Sequence, residues 1–250
     1  MPPPENSGLI FIAHGHGNNP SHWPARLIKR IRSSEAHPGD WDIYAHDWEE
    51  HASRVLTAAR SGDQIGRDLA RGYLDSGDRY VVIHLIGQSM GAYLAQGFID
   101  EYRKLGGGAA IHVTFLDPFL LRGVLGFGYG VRRFGRGADF AENYYVSRDP
   151  VPATNRPLRH AHNTDISALV PDSMRESFNG AHWWVVEFYR QSVGRSGPGF
   201  SRSPAARDLF GGRSVSGGAD PGSPDHEAIK AEIAGLGDQF PPGERTRLRP

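Results

Sequence analysis

The stretch VIHLIGQSMGAYLAQ, Val82 to Gln96, decides how this chain is read. An apolar run rich in β-branched residues ends at a glycine, a serine stands between that glycine and a second one, and helical spacing begins at once. A continuous apolar run of this kind suits a strand buried on both faces of a parallel sheet. Beyond the serine, Leu94, Phe98, Tyr102 and Leu105 fall on one side of a helix, and Gly106, Gly107 and Gly108 stop it. Gly87-Gln88-Ser89-Met90-Gly91 fits G-x-S-x-G, a tight strand-to-helix turn that lifts a serine Oγ clear of the backbone. The flanking glycines are needed because a side chain there collides with the neighbouring strand or helix. In a chain with 32 glycines in 250 residues, chance alone supplies roughly 0.3 such matches. The weight comes from context: the serine sits at the strand-to-helix junction that such a turn requires, just before a helix whose N-terminal dipole favours negative charge.

Working outward, similar short apolar runs recur at Leu9 to Ala13, Trp41 to Ala45, Ile111 to Leu116, Asn143 to Val146 and Ala161 to Leu169, with Tyr80 to Ile86 leading into the serine. Ser21 to Ile31, roughly Asp63 to Leu74, and Gly91 to Leu105 carry helical spacing between them. Strand and helix in alternation predict an α/β fold with a doubly wound, mostly parallel sheet. Residues 1–7 read as a short tail and residues 8–193 as one domain. From about Gly194 the pattern dissolves into Gly, Ser, Pro and Arg, so residues 194–250 read as a flexible C-terminal tail, with one short helix after Ser223-Pro224. There is no internal repeat.

Bulk composition narrows the function classes. The 28 basic and 28 acidic residues cancel, which gives no overall attraction to nucleic acid or to an anionic membrane. Without cysteine there is no disulfide, no thiolate zinc site and no Cys nucleophile. The opening MPPPENSG lacks the basic end and apolar run of a signal peptide, and no later segment has the length of a membrane span. The expectation is a soluble, cytoplasmic protein, with secretion left open for a mature form. Oligomeric state is not legible.

On these residues the chain resembles the α/β-hydrolase superfamily, in particular its small lipases and esterases. The resemblance covers Gly8 to Val193 and rests on the elbow, on AHGHG after the first strand, and on an acid and a histidine following in family order. It implies a reduced α/β-hydrolase fold in which the first strands are absent, so that the sheet starts at the position of the third strand of larger members. It implies no cofactor, and a small-molecule ester or acyl substrate.

The chemistry agrees. A serine hydroxyl is a poor nucleophile until a base takes its proton, and the base needs a carboxylate to fix its tautomer. Of 12 histidines, His182 in NGAHWWVVEFY is best placed, after the last strand and at the head of an amphipathic helix, where the family carries its catalytic histidine. Two acids compete. Asp149, in YYVSRDPVPAT, occupies the family's usual position and is preferred; Asp117, in TFLDPF, follows the preceding strand, from which some lipases take their acid. Asp165, inside a strand, reads as structural. The resemblance puts the oxyanion donors on the backbone N–H groups of Met90 and His16, where side-chain identity matters little. The resulting expectation is a serine hydrolase acting on carboxylic esters, with a thioesterase, an acyltransferase or a non-catalytic binding protein on a hydrolase frame as rivals.

Other features carry less. His14 with His16, and His160 with His162, are spaced to share one side of an extended segment, but neither pair has a third and fourth ligand in line, so no metal is expected. Arg132, Arg133 and Arg136 read as solvated loop charges. The glycine-rich, aromatic segment from Phe119 to Phe140 reads either as a mobile lid (residues 119–140) over an acyl pocket or as a hairpin burying Leu120, Leu121, Leu125 and Phe127.

Overall fold

The computed structural model describes residues 8–34, 41–77, 80–122, 126, 128–175, 177, 179–195 and 198–200. Six strands, β1 (Gly8–Ala13), β2 (Trp41–His46), β3 (Val82–Gln88), β4 (Ala110–Leu116), β5 (Phe140–Tyr145) and β6 (His162–Asp165), form one sheet in the order β2-β1-β3-β4-β5-β6. Every pairing is parallel. Parallel strands need crossovers, and the helices supply them: α1 (Trp23–Arg32), α2 (Glu49–Ala52), α3 (Val55–Asp75), α4 (Gly91–Lys104), α5 (Tyr129–Arg133), α6 (Asp172–Arg175) and α7 (Gly180–Gln191). With helices on both faces of an all-parallel sheet, this is a doubly wound α/β fold, as the alternation of strand and helix predicts.

Strand alternation divides the core in two. Phe11, Ile83, Leu85, Val113 and Phe115 point to one face and pack with Ala58 and Ala70 of α3 and with Tyr93, Leu94 and Phe98 of α4. Ile10, Ile12, Ile86, Leu116 and Tyr144 point to the other and pack with Trp23, Leu27 and Ile31 of α1 and with Trp184, Val185, Phe188 and Tyr189 of α7. Both faces of β1, β3 and β4 are covered, which explains why these strands read as unbroken apolar runs.

The second face also holds a polar cluster. Thr114 Oγ donates to Glu142 at 2.7 Å and so accepts from His84 Nε2–H at 2.9 Å and from Tyr189 OH at 3.2 Å; Tyr144 OH donates to Glu142 at 2.8 Å. Burial, helped by His112, pushes His84 down to about 3 and keeps it neutral. The chain beyond Gly194 closes over this cluster: Gly199 N–H donates to Tyr144 OH at 2.7 Å, Phe200 N–H to Ser192 Oγ at 2.7 Å, and the Phe200 ring is fully buried against His84 and Tyr189. Gly199 and Phe200, beyond the boundary at Val193 read from the sequence, thus pack against the domain. One aromatic side chain in a glycine-rich stretch leaves no periodicity to detect. The helix expected after Ser223-Pro224 lies outside the described residues.

Of the segment 119–140, the described part is fastened to the domain. Leu120 and Phe134 are buried, Tyr93 OH donates to the Leu121 carbonyl at 2.6 Å, and Arg122 reaches Tyr129 OH at 2.6 Å and Asp63 at 3.0 Å. Leu125 and Phe127 lie outside the described residues. Among the described residues no helix is long and apolar enough to cross a membrane.

Candidate functional site

The chain runs from β1 outward to β2 and returns to β3 on the opposite side of β1. The turns after β1 and β3 therefore leave the sheet in diverging directions, at the kind of switch point where open α/β sheets take their ligands. His14 to Asn18 and Ser89 to Met90 occupy those two turns. The turns after β4 and β5, and the start of α7, border the same edge and bring Asp117, Asp149 and His182 to it.

Ser89 sits in the left-handed region with φ of 51°. For a residue with a side chain that conformation costs about 1 kcal/mol or more, and it is held by the fold around it. Its N–H donates to the Leu116 carbonyl at 3.1 Å and its own carbonyl accepts from Phe119 N–H at 3.1 Å. The expected reason for the elbow glycines is met in distances. A Cβ on Gly91 would stand 2.2 Å from the Ala13 carbonyl oxygen, and one on Gly87 would stand 2.9 Å from the Gly91 oxygen. Ser89 is only 7% exposed, yet among the described residues its Oγ makes no hydrogen bond.

His182 lies in the first turn of α7, 7% exposed. Its Nδ1 faces two carboxylates at once, Asp117 Oδ2 at 2.6 Å and Asp149 Oδ2 at 3.1 Å. Both side chains are fully buried. The sequence set these acids against each other as alternatives; the fold brings them to the same nitrogen. Asp117, like Ser89, has a left-handed backbone, with φ of 45°, and its other oxygen accepts from Asn155 N–H at 3.3 Å. Asp149 Oδ1 accepts from Val151 N–H at 3.0 Å, while Thr154 Oγ lies 3.4 Å from Oδ2.

The electrostatics follow from that crowding. Burial works against charge on His182, but the hydrogen bonds and negative charge of Asp117 and Asp149 outweigh it and raise the imidazole to about 9. Burial pushes Asp117 up to about 6; its bond to His182 opposes this, and the neighbouring Asp149 adds to it. Burial also acts to raise Asp149, but its bonds to His182, Asp117 and the Val151 N–H hold it below the usual carboxylate range. Distance singles out Asp117 and charge singles out Asp149. We take Asp149 as the standing negative charge and Asp117 as the closer acceptor, because two carboxylates this near each other do not both ionise freely. Asp117, Asp149 and His182 are also close enough together to be weighed as a cation site. The 2.6 Å contact is that of a direct hydrogen bond, which leaves the proton on Nδ1.

The loop after β1 is anchored from β2 and α2. Trp48 Nε1–H donates to the His14 carbonyl at 2.9 Å, and His16 Nδ1–H donates to the Ala52 carbonyl at 2.9 Å. His14 is fully buried beside Trp48, and burial lowers its pKa. Each of these imidazoles thus has a local partner, and the loop is fixed in place. Neither the His16 N–H nor the Met90 N–H donates to another backbone group among the described residues. Asp165 accepts from Ser167 N–H at 2.9 Å and Ser147 N–H at 3.4 Å, the structural role expected of it.

Two participants were missed in the sequence. Trp48 gives no local signal, because its contact lies across the sheet edge. Gln88 does give one: as the even-numbered neighbour of His84 and Ile86 on β3 it must point to the α7 face, where His182 sits, and its Nε2 meets His182 Nε2 at 3.0 Å.

No family model matches the chain, and no curated protein matches it. Among solved structures it is similar to a candidate hydrolase of the alpha/beta superfamily from Xanthomonas campestris pv. campestris. That likeness has a TM-score of 0.41 and 16% identity, over 74% of this chain and 99% of the other. At that identity no residue's role passes from one protein to the other.

Proposed function

We propose that this chain is a serine hydrolase cleaving carboxylic esters through an acyl-enzyme intermediate. The observation that carries the reading is the left-handed Ser89 at the strand-to-helix elbow, together with an imidazole whose Nδ1 is held by two buried carboxylates and whose Nε2 meets Gln88, the residue before that serine. Ser89 Oγ attacks the acyl carbonyl while His182 Nε2 takes its proton. The oxyanion is received by the N–H groups of His16 and Met90. His182 then protonates the leaving alcohol, and a water activated by the same nitrogen releases the acid. Asp117 and Asp149 together keep the proton on Nδ1 and stabilise the imidazolium.

The test is hydrolysis of p-nitrophenyl esters of increasing acyl length beside a matched thioester series, with Ser89→Ala as control. Turnover of at least one ester is expected, falling on the order of 10⁵-fold in Ser89→Ala. Turnover of thioesters alone would overturn the ester assignment and leave the serine mechanism standing. Undiminished turnover by Ser89→Ala would overturn both.

A further inference from the structure

The nitrogen that must take the Ser89 proton is already occupied. Because Nδ1 faces two carboxylate oxygens it carries the ring proton, so Nε2 of the neutral imidazole is an acceptor, and the Gln88 side-chain N–H donates to it at 3.0 Å. Gln88 is 2% exposed, and its Oε1 is buried with no hydrogen-bond partner among the described residues. That amide is wedged in place: a Cβ built on Gly15 would lie 2.4 Å from Gln88 Oε1 and 2.8 Å from Ser89 Cβ.

We propose that Gln88 is a positioning residue for His182: its side-chain N–H holds Nε2 of the neutral ring, the form able to act as a base, and has no such bond to offer once that nitrogen carries a proton. The inference rests on reading Ser89 and His182 as nucleophile and base. The amide favours the neutral ring against the two carboxylates that favour the charged one, since a donor to Nε2 stabilises only the unprotonated form. During acylation Ser89 Oγ–H displaces the amide N–H, and its proton passes to Nε2 as Oγ bonds to the carbonyl carbon. The titratable groups acting on His182 are Asp117 from the turn after β4 and Asp149 from the turn after β5. From β3 it meets the uncharged Gln88.

The experiment follows the His182 ring proton by NMR titration in the full-length protein and in Gln88→Met, alongside the pH profile of fluorophosphonate labelling. Loss of the amide donor should move the His182 midpoint, and the acid limb of labelling with it, upward by on the order of one pH unit. Labelling near neutral pH should fall about tenfold and recover as the pH rises. A uniform loss at every pH with an unmoved midpoint would overturn the proposal and leave Gln88 as packing. Should Gln88→Met not fold, the unmutated protein still decides: the Gln88 side-chain amide resonance must titrate with the same midpoint as His182, and an amide blind to that titration overturns the proposal. Failure of Ser89 to label at all leaves the NMR arm intact, so loss of the hydrolase reading is told apart from loss of this one.

Discussion

Ser89, His182 and the two aspartates were legible as residue types in chain order, but the sharing of one imidazole nitrogen was not. Sequence separation suggested a choice, with Asp149 nearer to His182; the left-handed turn at Asp117 brings its carboxylate to 2.6 Å all the same. With two acids on Nδ1, either alone still fixes the tautomer. Asp117→Asn and Asp149→Asn are each expected to cost on the order of tenfold in kcat/KM, and the double variant on the order of 10⁴-fold. Kinetics of the three variants check this; a single variant as damaged as the double would mean that one acid acts alone. The same carboxylates raise His182 to about 9. Since only the neutral ring accepts the serine proton, activity should climb with pH and level off above about 9, read from kcat/KM against pH. The sign for stability is opposite. A folded pKa above the unfolded 6.5 stabilises fully below 6.5, and that contribution is lost as the pH rises through about 9.

Among the elements, strands were easier to read than helices. Fully buried strands announce themselves as apolar runs, and all six lie within a few residues of where the sequence put them. The reading of α3 as roughly Asp63 to Leu74 missed its first two turns, which end in Ser61 and Gly62, a pair of low helix propensity that breaks the pattern; α3 holds Gly66 and Gly72 as well. Packing explains them: a Cβ on Gly66 would stand 2.1 Å from the Leu94 carbonyl oxygen, and one on Gly97 2.2 Å from that of Asp63, so α3 and α4 touch backbone to backbone. Trp48 belongs to this scale as well, since it ties the connection after β2 to the loop carrying His16. Trp48→Phe keeps most of the apolar burial and drops the bond to the His14 carbonyl. A stability loss of about 1 kcal/mol is expected, with kcat reduced more than KM is changed. Denaturant melts and steady-state kinetics measure the two, and unchanged kcat would detach Trp48 from the site.

For the whole molecule, the doubly wound parallel sheet follows from the alternation of strand and helix and was legible in the sequence; its strand order, and the diverging turns after β1 and β3 that go with it, came only with the structure. The C-terminal closure was not legible either, because Phe200 stands alone in a stretch whose composition reads as tail. Its ring is fully buried, and its backbone and that of Gly199 bond to Ser192 and Tyr144. Burying a phenylalanine contributes about 2–3 kcal/mol. A chain ending at Val193 should therefore melt about 5–10 °C below one ending at Phe200 in differential scanning calorimetry. Equal midpoints would mean that Gly199 and Phe200 add nothing to the domain's stability.

The central claim, that Ser89 is a nucleophile activated by His182, is tested most directly by intact mass and peptide mapping after reaction with a fluorophosphonate. The expected result is a single adduct on Ser89, absent from Ser89→Ala and strongly slowed in His182→Ala. Persistence of the adduct in Ser89→Ala, or its attachment to a different residue, would contradict the claim.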